Sequence, residues 1–165
     1  MDEIVKIQDS RRIFIETLNE LAEHDPTIVV LICDVGFNYL DNPANKFRVL
    51  NLGVTEQSTM IIAAGLALSG LKPYVYSMIN FVTFRPYEMV RNAVCMHNAN
   101  VKIIGVKGSE KYKFLGFSHN LIVKDEEIKT LKHLPNLKTY TPELEQVKDV
   151  ILASYKLQNP CYIRL

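Results

Sequence analysis

The stretch NLGVTEQSTMIIAAGLALSG, residues 51–70, passes from a short apolar segment into a helix and sets one carboxylate, Glu56, at the junction. No charged residue follows it until Lys72. A carboxylate in a first helical turn faces the positive end of the backbone dipole and gains roughly a few tenths of a kcal/mol, which accounts for an exposed glutamate but not for a buried one. On either side the pattern alternates. FRVLNLG, residues 47–53, reads as the strand that enters this helix, and KPYVYSM, residues 72–78, as the strand that follows it. TIVVLIC, residues 27–33, reads as a strand buried on both faces, preceded by a helix in RRIFIETLNELAEH with Ile13, Leu18 and Leu21 on one side. After residue 78 come a loop with Phe81 and Phe84, a helix in RPYEMVRNAVCMH with Pro86 in its first turn, and a strand in VKIIGV. An irregular stretch, residues 107–127, is followed by a short strand in LKTYTP, a helix from Pro142 to Leu157 and a closing strand in PCYIRL. Short apolar runs alternating with helical spacing predict an α/β fold: one doubly wound domain whose mostly parallel sheet is flanked by helices.

A chain of 165 residues suits one core, so residues 1–165 are read as a single domain. Nineteen Lys and Arg against eighteen Asp and Glu leave a net charge of +1 without basic blocks, which argues against nucleic acid as a partner. The apolar run around Met60 to Leu68 is about half of what a membrane span needs, and MDEIVKIQDS has acidic residues where a signal peptide needs basic ones. A cytoplasmic protein without membrane attachment is expected. Cys33, Cys95 and Cys161 share no short spacing and fall in apolar segments, so buried thiols are expected rather than a disulfide framework or a metal site.

In open parallel sheets ligands sit beyond the carboxyl ends of the strands. Glu56, the Phe81 and Phe84 segment, and Gly116 to His119 all fall there. Each has an ordinary reading as well: Glu56 as a helix-start residue, the phenylalanines as packing aromatics, His119 as a solvated loop histidine. No Gly-rich phosphate loop, nucleophile elbow or H-E-x-x-H occurs.

Taken in order, GVTEQ before an Ala/Gly-rich helix, GLKPYVYSMINFVTFRPYEMVRNAV, VKIIGVKG, GFSHN and LPNLKTYTPE resemble the pyrimidine-binding domain of the transketolase family of thiamine diphosphate enzymes. That family includes 1-deoxyxylulose 5-phosphate synthase and the beta subunits of 2-oxoacid dehydrogenases. The resemblance runs from about Arg11 to Leu165. It implies the pyrimidine type of the thiamine diphosphate-binding fold and the cofactor itself. Glu56 matches the glutamate that hydrogen-bonds the cofactor's aminopyrimidine, favouring the imino tautomer whose nitrogen takes the thiazolium proton. An apolar helix behind it would keep that carboxylate dry and raise its pKa. Phe81 matches the aromatic that stacks on the pyrimidine, with Phe84 as its neighbour. His119 matches the histidine of G-x-[ST]-H, which faces the reacting carbon and serves substrate oxygens and proton transfer. Asp34, in LICDVG, matches an acidic residue at the site rim, grouped here with the cofactor-binding residues.

Two departures shape the expectation. Leu115 stands where classical transketolases often carry Asp before G-x-[ST]-H, and the G-D-G…N motif that binds diphosphate and magnesium in the family does not occur. The chain also stops before the carboxyl-terminal domain that normally follows. The resemblance therefore implies one subunit of a split transketolase that transfers a two-carbon ketol unit. A separate diphosphate-binding subunit would supply most magnesium contacts, with no metal held by this chain, in a heterotetramer outside which the chain is inactive. The alternatives are a beta-type subunit of a 2-oxoacid decarboxylase or dehydrogenase, and a non-catalytic interaction domain. Arg85 and Lys107 are read as structural or surface residues.

Overall fold

A computed structural model of the chain describes residues 9–108 and 110–165. The acidic amino terminus weighed above falls mainly outside them. Six strands form one sheet: β1 (Ile28–Ile32), β2 (Arg48–Asn51), β3 (Lys72–Met78), β4 (Lys102–Val106), β5 (Lys138–Tyr140) and β6 (Cys161–Arg164). Their order across the sheet is β2-β1-β3-β4-β6-β5, and every pairing is parallel. β1 and β4 are buried along their whole length, β1 by an unbroken apolar sequence and β4 with Lys102 at its start donating to the Leu157 and Asn159 carbonyls, whereas the edge strand β2 is largely exposed.

Side-chain alternation along the strands divides the core into two layers. Val30, Ile32, Tyr74, Tyr76, Ile104 and Ile163 face α1 (Ser10–Ala22), which brings Phe14 and Leu18, and a later helix that brings Ile151. On the other side Leu31, Val75, Ile103 and Tyr162 meet Met60 and Ala63 of the Glu56 helix. α1 starts where the Asp9 side chain accepts the Arg12 amide at 2.9 Å, a conventional N-cap.

A four-residue helix, α2 (Phe37–Leu40), follows β1, and α3 (Glu56–Leu68) follows β2. The aromatic segment after β3 differs from its sequence reading as a loop: Ile79–Thr83 is a helix, α4. α5 (Tyr87–Met89) passes directly into a π-helical turn, Val90–Cys95. The stretch read as irregular holds a 3-10 segment, Glu110–Ser118, broken at Gly116 by φ 64° and ψ −152°, a conformation natural only to glycine. It ends in a further helix, α6 (Glu126–Leu131). α7 (Val147–Lys156) completes the chain's helices and lies against α1.

α3 corrects a second expectation. Its apolar sequence is not spent on enclosing Glu56: Ile61, Ile62 and Leu68 are exposed, as is Val54 just before the helix.

Candidate functional site

β1 leads to one side of the sheet, into β2, and the chain returns to the other side, into β3. The crevice between the carboxyl ends of β1 and β3 is therefore the topological switch point, where open parallel sheets bind ligands. A cleft of about 340 Å³ lies there. Asp34 and Gly36 line it from β1, Tyr76 and Phe81 from the β3 side, Lys107 from β4, and His119 from the segment beyond. Gly36 has φ +97°, and a Cβ on it would stand 2.8 Å from the Tyr76 ring, so only glycine lets the chain turn so close to that wall.

Beside this cleft four side chains touch in series. Glu56, in the first turn of α3, is 7% exposed, and its Oε1 accepts from Arg85 Nη1 at 2.6 Å. The Arg85 guanidinium lies over the Phe81 ring, 3.7 Å from its centroid, within the range of a cation–π contact. The Phe81 ring in turn meets the His119 imidazole edge-on at 4.9 Å. Ser118 Oγ lies 2.7 Å from His119 Nδ1, and the Tyr112 ring stacks near the imidazole at 6.3 Å. Asn80, next to Phe81 on α4, donates to the Phe117 and Asn120 carbonyls and holds the histidine segment against that helix.

Glu56, Phe81 and His119 are thus brought together from three separate connections. Phe84 is half-buried at the end of α4, and Asp34 stands exposed on the rim in a left-handed conformation, φ 57°. The Asp34 amide donates to Asn51 Oδ1, which ties the ends of β1 and β2. Behind Glu56, Cys33 Sγ bonds Thr59 Oγ1 at 3.3 Å, and burial pushes the thiol up from its ordinary value. All three cysteines are free and buried, as their sequence surroundings indicated.

Sequence reading places Arg85 among the structural or surface residues, whereas the structure sets its guanidinium between Glu56 and Phe81. Arg85 lies two residues beyond α4, in the turn before Tyr87, so no helical period in the sequence pairs it with Phe81 or with Glu56.

The family model for the transketolase pyrimidine-binding domain matches residues 7–165. One subunit of the apulose-4-phosphate transketolase of Phocaeicola vulgatus is 31% identical over 159 residues, which cover 94% of this chain and 50% of that protein. 1-Deoxy-D-xylulose-5-phosphate synthase of Halalkalibacterium halodurans is 34% identical over 140 residues, 81% of this chain and 21% of that protein. Among solved structures, a split gene transketolase described as an inactive beta4 tetramer superposes with a TM-score of 0.80 at 31% identity, over 94% of this chain and 50% of that one. The chain spans half or less of the length of each.

Proposed function

The chain belongs to the transketolase family through its pyrimidine-binding domain, and we propose that it supplies the pyrimidine half of the site in a heteromeric, thiamine diphosphate-dependent transketolase-type enzyme. The reaction is the transfer of a two-carbon ketol unit. The observation that carries this reading is the unbroken contact series Glu56, Arg85, Phe81, His119 at the switch-point rim.

The residues present suit an aminopyrimidine. The Arg85 guanidinium, a planar group, already lies over Phe81 while bonded to Glu56, and an aminopyrimidine needs the same two partners. When bound, the cofactor supplies a carbon nucleophile that no amino-acid side chain offers. Glu56 would hold the ring by a hydrogen bond and exchange a proton with its nitrogen, at a position closed to bulk water. Phe81 would provide the flat wall, with Phe84 beside it, and Asp34 would border the rim. His119, fixed by Ser118 and by contact with the Phe81 ring, would present its imidazole to the cleft and move protons to and from substrate oxygens.

Diphosphate and magnesium are assigned to a separate diphosphate-binding subunit, in a heterotetramer with sites at the interfaces between its chains. Exposed apolar side chains favour such a partner: Ile61, Ile62 and Leu68 on α3, and Phe114 and Phe117, at 82% and 72% exposure, beside His119. No helix among the described residues is long and apolar enough to cross a membrane. The cytoplasm is the compartment proposed, since it keeps thiols such as these reduced.

Native co-purification from the source, with mass spectrometry of bound proteins and small molecules, tests this. The expected result is a stoichiometric partner containing a G-D-G…N segment, together with thiamine diphosphate. A chain recovered alone and cofactor-free at near-native concentration would overturn it.

A further inference from the structure

We infer that Arg85 is a gate: its guanidinium fills the seat of the cofactor's pyrimidine ring between Phe81 and Glu56, and must swing out before that ring can enter. The inference rests on the cofactor reading above and adds to it a residue that sets how readily the site is loaded.

Three observations converge. The guanidinium carbon is 3.7 Å from the Phe81 centroid, van der Waals contact with that face, so a second group cannot share it. It also takes Glu56 Oε1, an oxygen that the pyrimidine nitrogen needs. One side chain thereby blocks both contacts at once. Finally, the side chain has somewhere to go. Arg85 is 41% exposed whereas the Glu56 carboxylate is 7% exposed, so the guanidinium approaches the glutamate from the solvent side.

The backbone beneath it is fixed. The Arg85 amide donates to the Asn80 carbonyl at 3.2 Å, and the Arg85 carbonyl accepts from Gln57 Nε2 at 3.3 Å. Gating therefore needs only rotation about the arginine side-chain bonds. Arginine suits the task because its planar, delocalised cation stacks on a ring and hydrogen-bonds sideways at the same time, which lysine cannot do.

A protein whose competent form is fractionally populated binds with its intrinsic dissociation constant divided by that fraction, so a seat filled about nine-tenths of the time weakens binding about tenfold. The test is calorimetric and stopped-flow titration of thiamine diphosphate with magnesium into the complex of the full chain and its diphosphate-binding subunit. Wild type is compared with Arg85→Met and Arg85→Lys. Arg85→Met is expected to bind about tenfold tighter, with Arg85→Lys in between. Side-chain rotation is fast compared with binding, so the observed binding rate should rise linearly with concentration in both forms, about tenfold more steeply in Arg85→Met. Both substitutions fall on a partly exposed side chain, and circular dichroism verifies that each variant is folded. Equal or weaker binding by Arg85→Met overturns the gate while leaving the cofactor reading intact. Absence of binding by wild type and both variants overturns the cofactor reading and the gate together.

Discussion

The His119 imidazole and the Phe81 ring stand nearly perpendicular, at a centroid distance of 4.9 Å and an interplanar angle of 77°. The two rings come from different connections of the sheet, and what brings them together is a neighbour of Phe81. Asn80 is 9% exposed and donates to the carbonyls of Phe117 at 2.9 Å and Asn120 at 3.2 Å. Asn80→Ala removes both bonds and is expected to cost about 1–3 kcal/mol, at roughly 1 kcal/mol per net hydrogen bond. Amide exchange at Ser118 and His119 should quicken more than exchange in β3 or β4. Uniform acceleration across the chain would show that Asn80 supports the whole fold rather than the histidine segment.

Glu56→Gln keeps the shape of the side chain and its ability to accept a hydrogen bond, but not its capacity to exchange a proton. In the assembled enzyme kcat is expected to fall by about 10²–10⁴-fold, the usual range for a lost acid–base group. The thermal midpoint of the isolated chain should move little by comparison. Retention of full activity would remove Glu56 from the mechanism.

How much of this was readable in the sequence depended on the kind of signal. KPYVYSM coincides with β3, and TIVVLIC contains β1 with one residue to spare at each end, because strands buried on both faces read as mainly apolar runs. α2 and α4, at four and five residues, are too short to show a helical period, and α6 was hidden at the end of a long polar stretch. The site divides in the same way. Glu56 and His119 stood out through ordered motifs. The Glu56–Arg85 bond joins residues 29 positions apart, and no local pattern records which distant cation a buried carboxylate will meet. The outward apolar face of α3 was likewise invisible, since composition alone does not say which side of a helix faces the core.

Below α1 the Asp25 carboxylate ties the start of β1 to β3 and α7. One oxygen accepts from Lys72 and Tyr155, the other from Thr27. Burial acts to raise its pKa, and these hydrogen bonds outweigh burial and hold it far below the ordinary 3.8. A carboxyl depressed in the folded state contributes stability that is fully present above the unfolded value and is lost as pH falls through the folded one. Asp25→Asn should therefore cost about 2 kcal/mol at pH 7, and the gap from wild type should narrow as pH drops below about 4. Urea unfolding at pH 7 and pH 3 reads both. A constant gap would mean that the network acts through packing, not charge.

Arg164, at the end of β6, reaches back to α6, where one guanidinium nitrogen bonds Glu127 at 2.8 Å and Asp125 at 2.7 Å. Glu127 is fully buried, so its carboxylate depends on that cation. Arg164→Met strands it and is expected to destabilise the chain by about 3 kcal/mol, near the lower end for breaking a buried pair. The double variant Arg164→Met, Glu127→Met replaces both charges with apolar groups of similar length, a change that is often nearly neutral. It should recover most of the loss, and equilibrium denaturation of wild type, Arg164→Met, Glu127→Met and the double variant measures the coupling. Additive losses in the double variant would show that Arg164 and Glu127 contribute independently, leaving Arg164 to act on α6 through Asp125 alone.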